Sequence, residues 1–182
     1  MNAQYKPLLI LVSGAPGSGK TTLARKLADE LYLPHINRDS LYWGMRFTAH
    51  DKTIEVVSTG VPLFYAVLTQ LLTSGVSIVA DATLYKGKSE ADIKPLLQIA
   101  DIINIHCRAA NAVERFEKRE AAEPPERTLA STETAITRAK KDALLFTNPL
   151  DLGCDTIEIN TTHAYEPSVD TIVKILRSRP SQ

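Results

Sequence analysis

The sequence predicts an α/β fold, a three-layer sandwich in which helices cover both faces of a five-stranded parallel sheet, with a small helical lid. Two observations lead to this prediction. Apolar segments of strand length alternate with helical patterns along the chain, without internal repeats or low-complexity linkers. In addition, the first apolar segment, residues 8–12, leads through a glycine-rich loop into a helix that carries Leu23, Leu27 and Leu31 at four-residue spacing.

The glycine-rich loop has the pattern G-x-x-x-x-G-K-[ST], which is the phosphate-binding loop of P-loop NTPases. Its residues are Gly14, Ala15, Pro16, Gly17, Ser18, Gly19, Lys20 and Thr21, followed by Thr22. Backbone N–H groups of such a loop surround an anion, and the helix N-terminus adds partial positive charge. We therefore expect a bound nucleoside triphosphate, with Lys20 on the β and γ phosphates and the Thr21 hydroxyl on Mg²⁺. An ordinary glycine-rich turn is the alternative.

The remaining elements continue the alternation. After the first strand, the predicted strands are residues 33–37, 76–80, 101–107 and 155–160. After the first helix, the predicted helices are residues 52–72, 89–99, 111–120, 129–144 and 168–176. We expect Pro62 to kink or restart its helix, and Pro124 with Pro125 to end the charged helix that precedes them.

Composition indicates one domain over residues 1–182. The chain is 44% apolar, with a net charge of +0 and a pI of about 6.9. Cys107 and Cys154 lie far apart without CxxC spacing, so we expect buried thiols in a reduced, cytoplasmic compartment. No signal-peptide pattern and no apolar stretch of membrane-spanning length is present in the sequence. The four histidines lack ligand spacing and are expected to be structural or exposed.

Asp81 ends an apolar strand pattern, as a Walker-B aspartate does. Because strand ends gather at one edge of a parallel sheet, we expect Asp81 to hold the Mg²⁺ shell opposite Thr21. Ala82 follows it where a mechanical AAA+ ATPase usually needs a carboxylate to orient water, which disfavours that class. A strand-end aspartate that caps a turn is the alternative interpretation.

Asp39 follows the second predicted strand, so it lies at the same sheet edge as Lys20 and Asp81. A carboxylate there can accept the proton of an attacking hydroxyl and hold that hydroxyl in line with the γ-phosphate. We predict that Asp39 is the catalytic base. Aspartate is also favoured at helix N-caps, and capping of a helix that begins near Ser40 is the alternative.

Arg115 and Arg119 are four residues apart and share one face of the charged helix. We predict that they are lid arginines that place positive charge over the phosphates, in a lid of about residues 115–140. Arg127 and Arg138 are further candidates to close over the phosphates. Glutamates interleave with these bases, which leaves a solvated, salt-bridged helix as the alternative.

Together these motifs resemble the small P-loop kinases related to the 5′-kinase domain of polynucleotide kinase, zeta toxin and chloramphenicol phosphotransferase, predicted kinases with an AAA-type ATP-binding domain. The resemblance runs over nearly the whole chain, and the residues that carry it are 14–22, 36–39 and 79–83 with Arg115 and Arg119. The resemblance implies ATP as donor and Asp39 as base. It also implies Arg119 on the phosphates, Arg115 against the adenine or the phosphates, and Thr83 in the acceptor groove.

Tyr42 is a departure from polynucleotide kinase, which has an arginine that grips the 3′-phosphate of the acceptor three residues after the base. This departure disfavours a nucleic-acid acceptor. Zeta toxins also carry an arginine shortly after their acidic residue, and Arg46 lies too far along the chain to be its clear equivalent.

An aromatic patch follows Asp39 directly. It consists of Leu41, Tyr42, Trp43, Met45 and Phe47. The patch either walls a small organic acceptor or serves core or helix packing. The cations with which an acidic group on an acceptor could pair are Arg38, Arg46 and Lys86.

We predict an ATP- and Mg²⁺-dependent kinase that phosphorylates a hydroxyl of a small-molecule acceptor, with adenine contacts from the lid helix and residues 160–162. A polynucleotide 5′-hydroxyl kinase is the second hypothesis; the aromatics support it, and the neutral charge balance does not. A non-catalytic nucleotide-binding regulator would not need Asp39 at the γ-phosphate. A GTPase would need Asn-Lys-x-Asp and Asp-x-x-Gly, which residues 37–40 and 81–84 do not match.

Overall fold

The computed structural model describes residues 6–48, 56–122, 136–137, 140 and 148–179 of the chain. Its centre is a five-stranded parallel sheet in the order β2-β3-β1-β4-β5. The strands are β1 Leu8–Gly14, β2 His35–Asn37, β3 Ile78–Asp81, β4 Asp101–Arg108 and β5 Thr156–Asn160. The predicted α/β sandwich and all five predicted strands are confirmed.

The helices cover both faces of this sheet. They are α1 Lys20–Leu31, α2 Arg38–Thr48, α3 Val56–Thr73, α4 Glu90–Ile93, α5 Ala112–Ala122 and α6 Val169–Arg177. The segment after β2, which the sequence left unassigned up to Ser40, is helical from Arg38 onward. Pro62 lies inside α3, which is assigned as one continuous helix, so the prediction of a restart there is wrong.

The single helix predicted over residues 89–99 is instead a short α4 followed by a 3₁₀ helix, Lys94–Gln98. Pro95 stands in the first turn of that 3₁₀ helix. Proline has no backbone N–H to donate to residue 91 and its ring crowds the preceding turn, so the α-helical hydrogen-bond pattern ends there. The helix predicted over residues 129–144, the Pro124-Pro125 break and most of the predicted lid lie outside the described residues.

Alternating side chains of the central strand, β1, pack into two separate hydrophobic cores, one on each face of the sheet. Leu9 and Leu11 face one side of the sheet, and Ile10 and Val12 face the other. The first core adds apolar residues of α3, α4 and the 3₁₀ helix, namely Phe64, Leu68, Leu72, Ile93 and Leu96. The second adds residues of α1 and α6, namely Leu23, Ala24, Leu27, Ile172, Val173 and Leu176. Within the described ranges, no helix is both long and apolar enough to cross a membrane.

The core of the first face gives a stability prediction with an internal control. Phe64 is fully buried, whereas Phe47 is 92% exposed. We expect Phe64→Ala to lower the free energy of unfolding by about 3–5 kcal/mol, because it leaves a cavity. The matched variant Phe47→Ala should change it by less than about 0.5 kcal/mol. Urea titration followed by circular dichroism measures both; equal losses would contradict the assignment of Phe64 to the core.

The two thiols give a second prediction. Cys107 is buried and burial raises its pKa to about 12, whereas Cys154 is half-buried and burial also raises its pKa. At pH 8 only about one Cys107 in ten thousand is ionised, and the reactive thiolate forms only as the pH rises toward 12. We expect a maleimide to label Cys154 first in the native protein, and both thiols after unfolding. Mass spectrometry of wild type and Cys154→Ser distinguishes the sites, and fast native labelling of Cys154→Ser would contradict the prediction.

Candidate active site

The loop after β1 is packed so closely that only glycine fits at two of its positions. A Cβ atom added at Gly14 would lie 2.5 Å from the Cys107 carbonyl oxygen, and one at Gly17 would lie 2.0 Å from the Ala112 carbonyl oxygen. Gly17 also has a φ of +80°, which L side chains rarely adopt. The loop therefore fits against the end of β4 and the first turn of α5 through bare backbone, with its N–H groups at the start of α1.

Thr161, in the segment after β5, forms a hydrogen bond to this loop. Its hydroxyl donates to the Ser18 carbonyl at 2.6 Å and lies 3.2 Å from the Arg108 carbonyl. The Ser18 hydroxyl is buried without a hydrogen-bond partner among the described residues, and it lies close to Gly14 within the loop. An unpaired buried donor inside a ring of backbone N–H groups fits an anionic phosphate.

Lys20, the first residue of α1, is 6% exposed. Burial lowers its pKa below the usual lysine value, while the charges of Asp39 and Asp81 raise it and those of Arg119 and Arg38 lower it. All four of these side chains therefore lie near enough to act on Lys20. The predicted base, the predicted metal carboxylate and one predicted lid arginine thus lie within electrostatic range of the loop lysine.

Asp81 is fully buried at the end of β3 and accepts hydrogen bonds from three side chains. The Thr21 hydroxyl donates to Oδ2 at 2.6 Å, His35 Nε2 lies 2.6 Å from Oδ1, and Asn37 Nδ2 lies 3.1 Å from both oxygens. Burial acts to raise the pKa of Asp81, but these hydrogen bonds and the charge of Lys20 outweigh it and hold the pKa below its usual value. Asp81 is an ionised carboxylate that directly contacts the loop.

The Thr21 hydroxyl and the Asp81 carboxylate fit a magnesium ion. Mg²⁺ prefers oxygen ligands and takes one or two from the protein, with phosphate oxygens and waters completing its octahedron. A hydroxyl and a carboxylate oxygen in contact at the mouth of a phosphate loop meet that requirement. The described part of the chain holds no group of three or more His, Cys, Asp or Glu side chains that could bind a metal by themselves, as zinc would need.

Asp39 lies in the first turn of α2, and it does not cap that helix. The helix begins at Arg38, and Asn37 caps it, because Asn37 Oδ1 accepts the Ser40 N–H at 2.7 Å and the Ser40 hydroxyl at 2.8 Å. The alternative interpretation of Asp39 as an N-cap is therefore wrong. The Asp39 side chain is 63% exposed, and its nearest described cation partner is Arg38, with Nε 3.9 Å from Oδ1.

The two arginines of α5 have different surroundings. Arg115 donates to the Thr161 carbonyl at 2.9 Å and to the Thr162 carbonyl at 2.7 Å, so it ties α5 to the segment after β5. Arg119 is exposed, lies over the Phe116 ring and pairs with Glu120 at 3.3 Å. The salt-bridged alternative thus describes Arg119 in part, but it does not describe Arg115.

Sequence reasoning missed two residues of the site, His35 and Asn37. His35 was expected to be structural or exposed, and it contacts Asp81. The last position of a strand before a helix is an N-cap position, so the type of Asn37 was a usable signal for its capping role. No sequence signal predicts the contact of either residue with Asp81, which depends on strand order. The remaining candidates, Arg127 and Arg138, lie outside the described residues.

The aromatic patch divides between packing and exposure. Tyr42 packs against α3 at Gly60, where an added Cβ would lie 3.3 Å from its ring. Trp43 makes an edge contact with Tyr42 at 5.5 Å, and the Arg46 guanidinium lies 5.6 Å from the Trp43 ring. Phe47 is 92% exposed, so core packing is the wrong interpretation for it.

A cavity of about 640 Å³ opens along the same edge of the sheet. Its walls include Ala15 and Pro16 of the loop, the end of β4 at Arg108, the start of α5 and the end of β5 at Asn160. It borders the loop and the segment from which adenine contacts are predicted.

Comparison with known proteins gives one family and a set of related structures. A family model described as an AAA domain matches residues 9–141. A candidate kinase from Chloroflexus aurantiacus is similar over 96% of both chains, with 27% identity and a TM-score of 0.74. A sugar kinase from Janibacter is similar in fold over 96% of both chains, with 17% identity and a TM-score of 0.62. Curated protein sequences give no match.

A third similar structure belongs to the Pnkp1/Rnl/Hen1 RNA repair complex. It has 23% identity and a TM-score of 0.56, and the similarity covers 83% of this chain and 50% of that one. These structures agree with the resemblance to small P-loop kinases that the motifs indicate. They differ among themselves in the acceptor that their names imply.

The loop packing predicts a different effect for two glycines with nearly the same φ. Gly17 at +80° meets Ala112, whereas Gly87 at +81° has no atom within 4 Å of an added Cβ. We expect Gly87→Ala to cost about 1–2 kcal/mol of backbone strain and to leave ATP affinity unchanged. Gly17→Ala should also displace the loop and lower ATP affinity roughly tenfold or more, which corresponds to about 1.4 kcal/mol. Calorimetric titration with ATP compares them, and equal affinities would refute the packing argument.

Proposed function

The chain belongs to the AAA domain family, and on that premise we propose that it is an ATP- and Mg²⁺-dependent kinase that transfers the γ-phosphoryl group to a hydroxyl of a small-molecule acceptor. The observation that carries the proposal is the position of Asp39. It lies in the first turn of α2, at the same sheet edge as Lys20 and near enough for its charge to act on Lys20. A nucleotide-binding protein without transfer chemistry has no need of a carboxylate there.

The proposed step assigns one task to each group. Lys20 and the backbone N–H groups of the loop hold the β and γ phosphates. Asp39 accepts the proton of the acceptor hydroxyl, the hydroxyl oxygen forms a bond to the γ-phosphorus, and the bond from that phosphorus to the β–γ bridging oxygen breaks, so ADP leaves with the electron pair. Thr21 and Asp81 would hold Mg²⁺, which neutralises the charge that develops on the phosphate oxygens.

The arginines of α5 complete the proposed positive surroundings of the phosphates. Arg119 acts electrostatically on Lys20 and is held at Phe116, which supports a position over the phosphates. Arg115 orders the segment at Thr161 and Thr162, which supports an indirect role beside the adenine through that segment. Both assignments agree with the resemblance to small P-loop kinases.

Ala82 supports transfer to an acceptor over hydrolysis. It follows Asp81 directly and is 2% exposed. An ATPase that hydrolyses its nucleotide needs a group that orients water at the γ-phosphate, and a methyl side chain does not supply one. Within this proposal Asp39 serves as the base for an incoming acceptor hydroxyl.

The aromatic side chains on α2, exposed Phe47 and half-buried Trp43, favour one second candidate, a polynucleotide 5′-hydroxyl kinase. Phe47 is almost fully exposed and Trp43 carries a guanidinium near its ring, an arrangement on which nucleobases stack. The net charge of +0 and the presence of Tyr42 in place of a phosphate-gripping arginine favour the small-molecule acceptor.

The test is a transfer assay with γ-labelled ATP and Mg²⁺ against two acceptor pools, small hydroxylated metabolites and antibiotics on one side and 5′-hydroxyl oligonucleotides on the other. We expect label in a small molecule. Asp39→Asn should lower kcat by roughly 10²–10⁴-fold with ATP affinity nearly unchanged, because only proton transfer and alignment are lost. Lys20→Ala should abolish transfer.

Asp29→Asn is the matched control for this test. Asp29 is exposed on α1, so the same chemical change should leave kcat unchanged. Label on oligonucleotides alone would establish the second candidate. Full activity of Asp39→Asn would remove the base assignment, and bound ATP without transfer to any acceptor would favour a regulator.

A further inference from the structure

Asn37 lies where its side chain contacts both the proposed metal carboxylate, Asp81, and the first turn of α2, the turn that contains the proposed base. In the register of β2 against β3, Asn37 is the partner of Asp81, so the two residues end adjacent parallel strands side by side. Asn37 is also the residue immediately before α2, whose first turn contains Asp39. The chain direction and the register therefore place the Asn37 side chain between the metal carboxylate and the first turn of α2.

The amide of Asn37 uses both of its ends. Its Nδ2 lies 3.1 Å from each oxygen of Asp81, and its Oδ1 accepts the backbone N–H and the hydroxyl of Ser40 at 2.7 and 2.8 Å. The orientation of the amide follows from its partners. An ionised carboxylate cannot donate and a backbone N–H cannot accept, so the nitrogen must face Asp81 and the oxygen must face Ser40.

We infer that Asn37 is a positioning residue that couples the magnesium carboxylate Asp81 to the catalytic base Asp39. This inference rests on the proposed function and extends it. The planar amide fixes the distance between Asp81 and the first turn of α2, so a shift of one carboxylate is transmitted to the other. Misplacement of a reacting group by about 1 Å can lower a rate by roughly a hundredfold, so such a link affects turnover without contact to substrate.

Other residues at this position can perform only half of the task. Serine is a good N-cap, but its single short hydroxyl cannot cap α2 and also reach Asp81. Alanine performs neither function. Comparison of Asn37→Ser with Asn37→Ala therefore separates the link to Asp81 from the cap of α2. His35 and Thr21 still donate to Asp81 in both variants, so the carboxylate stays buried and partnered.

The first measurement is binding and needs no turnover. The dissociation constant of a non-hydrolysable ATP analogue is determined with and without Mg²⁺ for each variant. We define the magnesium gain as the dissociation constant without Mg²⁺ divided by the dissociation constant with Mg²⁺. We expect Asn37→Ser to bind the analogue without Mg²⁺ within roughly twofold of wild type, and to lose roughly fivefold or more of the magnesium gain. Ser168→Ala, which removes the N-cap of the distant α6, is the control for loss of a cap and should keep the full gain.

The second measurement is a kinetic cycle. At saturating Mg²⁺ and ATP, Asn37→Ser should lower kcat roughly tenfold or more, because the alignment of the base is lost. The KM for ATP should rise by no more than the factor by which the magnesium gain falls, because the phosphate loop is intact. In an Asp39→Asn background the same substitution should change kcat by less than roughly twofold, since a residue that acts through Asp39 has no effect without it. Additive losses, or an unchanged kcat, would overturn the inference.

The two proposals fail in different ways. Wild-type protein that transfers no phosphoryl group to any acceptor contradicts the proposed function. The magnesium gain still decides the link in that case, because a reduced gain in Asn37→Ser supports it and an unchanged gain overturns it. Transfer by wild type together with an unchanged gain and unchanged kcat in Asn37→Ser removes the inference and leaves the proposed function standing.

Discussion

The buried carboxylate of Asp81 is the constraint on which the arrangement of the site depends. A carboxylate without solvent exposure must be hydrogen-bonded, and its donors are Thr21 on α1, His35 on β2 and Asn37 at the end of β2. These donors come from two segments, α1 and β2, and Asp81 itself ends a third, β3. The need to satisfy one charge therefore fixes α1, β2 and β3 relative to one another at the sheet edge where the phosphates are expected.

The phosphate loop is held by contacts as much as by its own sequence. Bare backbone at Gly17 meets Ala112 at the start of α5, and the Thr161 hydroxyl holds Ser18 from the opposite side. Arg115 then joins α5 to the segment around Thr161. The loop is held in place because β4, α5 and the segment after β5 all contact it. A loop that is preorganised in this way does not have to become ordered when it binds an anion.

Local patterns predicted the secondary structure well and its details less well. The apolar runs of β1, β3 and β4 located the central strands, because burial on both faces of a parallel sheet requires such runs. The edge strands β2 and β5 were also located, although they are less buried. The α-helix predicted over residues 89–99 becomes a 3₁₀ helix at Pro95, a steric effect that periodicity alone does not reveal. The position of Asp39 after β2 made it the predicted base, with an N-cap role as the alternative. The N-cap of α2 is instead Asn37, two residues earlier. Residue preference alone cannot distinguish two good capping residues so close together.

The sequence by itself determined the α/β class and the phosphate-loop pattern, because the apolar runs and the glycine-rich motif each depend on neighbours within a few residues along the chain. Only the tertiary structure decided that Asn37 and His35 meet Asp81, which lies 44 and 46 residues away. Those contacts depend on β2 pairing with β3 in a register that sets Asn37 beside Asp81, and strand order follows from how two cores are packed on either side of the sheet. Such long-range pairing is a property of the whole fold, and no local pattern encodes it.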